Sequence, residues 1–159
     1  MSNLEKQVDA LMRLCTAEKE ADRRRAREEL RCLRKAENRT SDDPEDMVRE
    51  ALLELGTPDH LAGHPYLVRG ILLVLEDRNY IANVMSGLYP KLAEQFGSTP
   101  SRVERSIRHA IEVAWSRGDL DVLNRYFGNT VSADKGKPTN SEFIARVANI
   151  VRQRMKDAA

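Results

Sequence analysis

Between Gly97 and Gly118 the chain carries a helix that can bury only one side. Thr99-Pro100-Ser101 reads as its start. A hydroxyl is available to cap, a proline has φ already set for the first turn, and Glu104 lies near the positive end of the helix dipole. At about 100° per residue, Val103, Ile107, Ala110, Ile111 and Ala114 share one stripe. Arg105, Arg108, His109, Glu112 and Ser116 fall opposite, with Arg102 towards one edge and Glu104 towards the other. Upstream, Leu88 to Phe96 reads as a short helix ended by Gly97. A short helix, a glycine turn and a capped helix with exposed arginines near its start form the layout of a helix-turn-helix, whose second helix enters the major groove N-terminus first. An ordinary two-helix corner with a solvated charged face fits the same pattern.

At these residues the chain resembles a family. SRVERSIRHAIEVAWSRGDLDVLNRYFG, then TVS, then KGKPTNSEFIA, is similar to the C-terminal effector domain of the sporulation master response regulator of Firmicutes. The close resemblance runs from Leu88 to Ala145 and a looser one reaches back to Met47. It implies that residues 101–117 read short boxes close to TGTCGAA in double-stranded DNA. Arg102, Glu104 and Arg105 would face bases, and Ser101, Arg108, His109 and Lys137 would lie near the backbone. The chemistry agrees: arginine suits guanine O6 and N7, and a carboxylate accepts from cytosine N4. Arg108 could equally pair with Glu104 or Glu112, each four residues away. The resemblance also implies contact with the RNA polymerase sigma subunit through Gly118, Leu120, Phe127 and Val131. Asn129 stands where an aromatic is common in the family. For Leu120, Leu123 and Phe127, a purely core role is the alternative.

The rest of the chain sets the frame. A net charge of +1 gives no global basicity, so any DNA-binding field must be local. Aromatics are 5% and charged residues 32%, which favours an all-α fold with a lean core. Residues 1–40 read as a charged helical arm without Gly or Pro from Ser2 to Ala36. In it Leu4, Val8, Leu11 and Cys15 step like a coiled-coil seam that breaks at Glu18 and Asp22, with Leu30 and Leu33 resuming apolar contact. The arm is expected to dimerise or dock, or simply to be solvated, its Arg23-Arg24-Arg25 diluted by acidic neighbours. On one straight helix Cys15 and Cys32 would lie about 25 Å apart, too far to pair. Both read as reduced thiols of a cytoplasmic protein. The family's full-length regulator has a phosphorylated receiver domain of strands and helices; residues 1–43 hold no strand pattern, so control by that route is not expected.

Residues 44–159 read as a compact bundle of about six helices. Pro44 to Leu55 has the stripe Met47, Ala51, Leu52 and Leu55. LAGHP at 61–65 reads as a turn, and Pro65 to Glu76 as the buried central helix. Tyr80 to Met85 supplies more core. That apolar run is too short to span a membrane, and SNLEKQVD lacks a signal-peptide pattern. His60 and His64 are four apart, but Gly63 and Pro65 argue against the helix that would make them metal ligands. No metal, cofactor or enzyme activity is expected; no phosphate loop, nucleophile elbow or paired carboxylates stand out. Asp119 caps a short helix ended by Gly128, and 132–138 reads as a basic loop. Thr139 or Asn140 then caps a last helix with Phe143, Ile144, Val147, Ile150 and Val151 inward and Arg146, Arg152, Arg154 and Lys156 outward. In the family that helix joins neighbouring effector domains, so a homodimer through the arm or the last helix is expected. The function expected is sequence-specific transcription regulation. The alternative is a protein–protein regulator that binds the sigma subunit or the full-length regulator and antagonises it.

Overall fold

The computed structural model describes residues 2–16, 20–37, 42–128 and 136–158. Its helices are α1 (Asn3–Thr16), α2 (Glu20–Glu37), α3 (Pro44–Glu54), α4 (Gly63–Glu76), α5 (Asn79–Ala82), α6 (Tyr89–Phe96), α7 (Pro100–Arg117), α8 (Leu120–Phe127) and α9 (Asn140–Ala158), with a π-helical turn at Val84–Leu88 before α6. Among the described residues there is no strand: the fold is all-α. The chain divides into two compact units, Met1–Asp42 and Asp43–Ala159.

In the first unit the expected single helix is two helices packed on each other. Ser2 and Glu5 form a capping box at the start of α1: the Ser2 N–H donates to Glu5 Oε2 and the Glu5 N–H to Ser2 Oγ. Ala10, Ala26 and Leu30 are buried, and Arg13 bridges to Glu29 at 3.0 Å. Small residues at positions 10 and 26 let two helix backbones approach closely. The seam Leu4, Val8, Leu11, Cys15 is not the buried side; its members are exposed. Leu30 is buried and Leu33 half-buried, as apolar contact there requires. Glu18 lies outside the described residues.

The second unit is a bundle around α4 and α7. Val48, Ala51, Leu52 and Leu55 of the first helical segment, Leu67, Val68, Ile71 and Val74 of α4, and Phe143, Ile144, Val147 and Val151 of α9 are all buried. Fully burying a branched aliphatic side chain contributes about 1.5–3 kcal/mol, so this shared core fixes the bundle. Asp43 caps α3, accepting from the Glu45 N–H, and Pro44 fills its first position. The LAGHP segment differs from expectation. Gly63, His64 and Pro65 form the first turn of α4, where proline is tolerated because its missing N–H has no helical acceptor. Tyr80, Ile81 and Val84 pack half-buried against the core, but Met85 is 73% exposed. No helix among the described residues is long and apolar enough to cross a membrane.

Candidate nucleic-acid interface

α6 ends because Gly97 takes a left-handed conformation, φ 59° and ψ 42°, open to glycine without strain. The N–H groups of Gly97 and Ser98 both donate to Ala93 O, closing the helix end. Two residues later α7 begins, with Thr99 Oγ1 accepting from the Arg102 N–H and Pro100 at the first turn. The turn between the helices is therefore short and hydrogen-bonded at both sides.

α7 is held along its length. Its stripe of Val103, Ile107, Ala110, Ile111 and Ala114 is buried to within 1% exposure. α4 approaches so closely that a Cβ at Gly63 would lie 2.1 Å from Ser106 O. On the third side Asn140, the first residue of α9, donates through Nδ2 to Tyr89 Oη at 3.0 Å and to Glu104 O at 3.1 Å. One amide thus joins α6, α7 and α9. Asn140 is free to do so because Thr139 makes the capping box of α9 with Glu142, each accepting from the other's N–H. The T-x-x-E spacing was the signal that could have separated these two roles. Burial raises the Tyr89 hydroxyl above its ordinary pKa, against the opposing effect of the Asn140 hydrogen bond, so it stays a neutral group.

The opposite face carries the residues singled out from the sequence. Ser101, Arg102, Arg105, Arg108 and His109 are exposed on the first turns of α7. Arg102 and Arg105, at i and i+3, share a face, and neither guanidinium is paired among the described residues. Arg108 lies 3.5 Å from Glu104, a loose, exposed i,i+4 pair. The Glu104 carboxylate is half-buried, and Arg108 is the cation beside it. Lys137 approaches the same helix lower down, where its Nζ meets Glu112 Oε1 at 2.6 Å. Lys137, first by hydrogen bond and then by charge, holds the Glu112 carboxyl below the usual carboxylate range; Arg108 and His109 add to this. Local spacing offers Arg108 as a partner for Glu112 and gives no sign of Lys137, which lies 25 residues on, beyond α8.

The corner after α7 has a mixed character. Gly118 is a packing position: a Cβ there would lie 2.5 Å from Ala114 O and 2.8 Å from Leu55 O. Phe127 is 2% exposed; it meets Trp115 edge-on at a ring separation of 5.1 Å and stacks on Phe143 at 5.5 Å. Its ring belongs to the core and offers no surface. Leu120, in contrast, is 74% exposed and is not core. Val131 and Asn129 lie outside the described residues, as does most of the 132–138 loop. Asp119 caps α8, accepting from the Asp121 N–H at 2.8 Å.

Arg146, Arg152 and Arg154 of α9, expected to point outward, are tied into the fold. Arg146 Nε donates to Tyr126 O, and Arg152 Nη2 donates to Val74 O at 3.3 Å. Each thereby satisfies a carbonyl in the last turn of a neighbouring helix. Arg154 donates to Glu54 Oε2 at 3.1 Å and to Tyr126 Oη at 2.9 Å, and Tyr126 Oη donates to the same carboxylate at 2.7 Å. Burial and the Glu54 hydrogen bond push the Tyr126 hydroxyl far above its ordinary pKa. His64 is buried in the first turn of α4 and His60 is exposed before it. Among the described residues no three His, Cys, Asp or Glu side chains gather to hold a metal ion.

A helix with a buried stripe, a glycine-turned partner before it and unpaired arginines at its capped start is the geometry of a major-groove reader. Residues 48–151, well over half of the chain, match the family described as Sporulation initiation factor Spo0A C terminal. The chain belongs to this family of helical, DNA-binding effector domains of sporulation transcription factors.

Proposed function

We propose that the protein is a sequence-specific transcription regulator whose recognition helix is α7. Arg102, Glu104 and Arg105 read base edges of TGTCGAA-like boxes, while Ser101, Arg108, His109 and Lys137 hold the phosphate backbone. The observation that carries this is the pair Arg102 and Arg105, exposed, without a partner among the described residues, on the first two turns of a capped helix pinned by three neighbours. Bidentate reading of guanine needs a guanidinium fixed in position with its donors free. Glu104 reads cytosine only after exchanging its Arg108 contact, so its contribution is smaller than that of Arg105. On this reading DNA binding is not controlled by phosphorylation of a receiver within residues 1–43, whose described part forms α1 and α2.

Exposed Leu120 favours a second surface at the α7–α8 corner, fitted to the RNA polymerase sigma subunit. On that reading Gly118 and Phe127 shape the corner from within. A protein that used this corner but bound DNA poorly would act as an antagonist.

The test is fluorescence anisotropy on a TGTCGAA duplex and a scrambled duplex at several salt concentrations. A preference of about 10³ or more for the box is the expected result. Equal and steeply salt-dependent binding to both would overturn the base-reading role and leave the antagonist reading.

A further inference from the structure

α1 buries one face and leaves a second one bare. Ala10 is buried and Asn3, Gln7 and Leu14 are half-buried, all on the side where α2 packs. Some 100° around the helix, Leu4, Val8, Leu11 and Met12 are 68%, 49%, 42% and 65% exposed, and Cys15 is exposed with them. An apolar strip of this kind on a soluble helix marks a contact surface.

The strip has a definite shape. Val8, Leu11, Met12 and Cys15, with Thr16, line a shallow apolar depression. Positions i, i+3, i+4 and i+7 are the four corners of the hole that accepts a side-chain knob in helix packing. The knobs, Leu4 and Val8, stand on the same helix in the 4-3-4 spacing of a heptad seam. The surface therefore carries both halves of a contact with itself. A two-fold axis crossing α1 between Val8 and Leu11 sets each copy's Val8 over the other's hole, as an isologous interface requires.

The charges of α1 also point to a second copy. Glu5 is engaged in the capping box with Ser2. Arg13 holds Asp9 at 2.9 Å and Glu29 at 3.0 Å in its own chain. Lys6 lies on the opposite side of the helix from the strip. A charged partner finds no unmatched charge on the strip itself, whereas an identical apolar strip matches it fully.

We propose that this strip is a self-association surface: two copies of the chain pair through α1, and two DNA-reading domains are thereby tethered. The pairing itself stands independently of the DNA-reading assignment; its consequence on DNA rests on it. Tethering makes the second reading event intramolecular, so two boxes in one duplex gain affinity that a single box does not.

Sedimentation equilibrium of the full chain at tens of micromolar tests the pairing. The expected result is a dimer that becomes monomeric when Val8→Glu and Leu11→Glu are combined, the dissociation constant rising about 10-fold or more. Met12→Lys, at a position 65% exposed and so harmless to the fold, should weaken the dimer in the same direction. Circular dichroism confirms that the variants stay helical. On DNA, the double variant should keep single-box affinity and lose about 10²-fold on paired boxes. A monomeric wild-type chain, or a dimer that survives these substitutions because it uses α9 or another surface, would overturn the proposal. Loss of box preference with the dimer intact would instead fault the reading head alone.

Discussion

Lys137 Nζ lies 2.6 Å from Glu112 Oε1, which ties the loop before α9 to the lower half of α7. Both side chains are 44% exposed, so the pair adds little to stability. Its weight is in deciding where the lysine's charge goes. If Lys137 holds the backbone as proposed, a DNA phosphate competes with Glu112 for it. Glu112→Gln should therefore tighten binding to box and scrambled duplexes alike. Lys137→Ala should weaken both alike and reduce the salt slope by about one. The Glu112 carboxyl is held below its ordinary pKa by Lys137, so the pair is complete above the carboxylate range and opens only as pH falls through the lowered value. The gain from Glu112→Gln should consequently be constant between about pH 6 and 8. Anisotropy titrations check this; unchanged affinity in Glu112→Gln would remove Lys137 from the phosphate contacts.

Arg105→Ala should act differently. Its guanidinium is exposed and unpaired among the described residues, so the substitution leaves stability nearly untouched. It should lose about 1–3 kcal/mol on the box and much less on scrambled DNA. Equal loss on both duplexes would assign Arg105 to the backbone.

These two predictions divide along what the sequence could show. The buried stripe of α7, its Thr99 cap and the Gly97 turn follow from short-range periodicity and from φ, both of which are local. The second helix of the arm, the Asn140 tie and the Lys137–Glu112 pair depend on residues brought together from a distance. Nothing in composition distinguishes Arg154, half-buried against Glu54 and Tyr126, from Arg105, which faces solvent. Both sit at polar positions of amphipathic helices, and only packing decides which charge is used inside the fold.

Gly63 is a case where backbone proximity sets the residue. A Cβ there would meet Ser106 O at 2.1 Å and Ala110 Cβ at 2.9 Å. These are helix backbone and core atoms that cannot swing aside, so α4 and α7 must separate. Gly63→Ala should cost about 1–3 kcal/mol or more. Gly97 fails for another reason: its space is open, but φ is +59°. Gly97→Ala should cost about 1–2 kcal/mol through strain, and Gly97→Asn less. Urea denaturation with constant m-values measures both.

His64 gives the fold a pH dependence. Burial lowers its pKa, the nearby Arg49 charge lowers it further, and Asp59 opposes them. The unfolded chain thus takes up a proton at a higher pH than the native one. Stability should be full above the ordinary histidine pKa of about 6.5 and fall as pH drops through it. The urea midpoint should decrease between about pH 7.5 and 5.5, and His64→Gln should flatten that slope.

Asn140 should couple stability to discrimination. Its Nδ2 group reaches Tyr89 Oη and Glu104 O, so it fixes α6, α7 and α9 against one another. Asn140→Ala removes both hydrogen bonds and leaves two part-buried oxygens without that donor, a cost of about 1–3 kcal/mol. Tyr89→Phe removes only one of the bonds, so the double variant should show a coupling energy of about 0.5–1.5 kcal/mol. If the tie also sets the angle at which Arg102 and Arg105 meet the groove, box preference should fall in Asn140→Ala while scrambled-duplex affinity holds. A preserved preference in a chain shown to be destabilised would confine Asn140 to holding the bundle together.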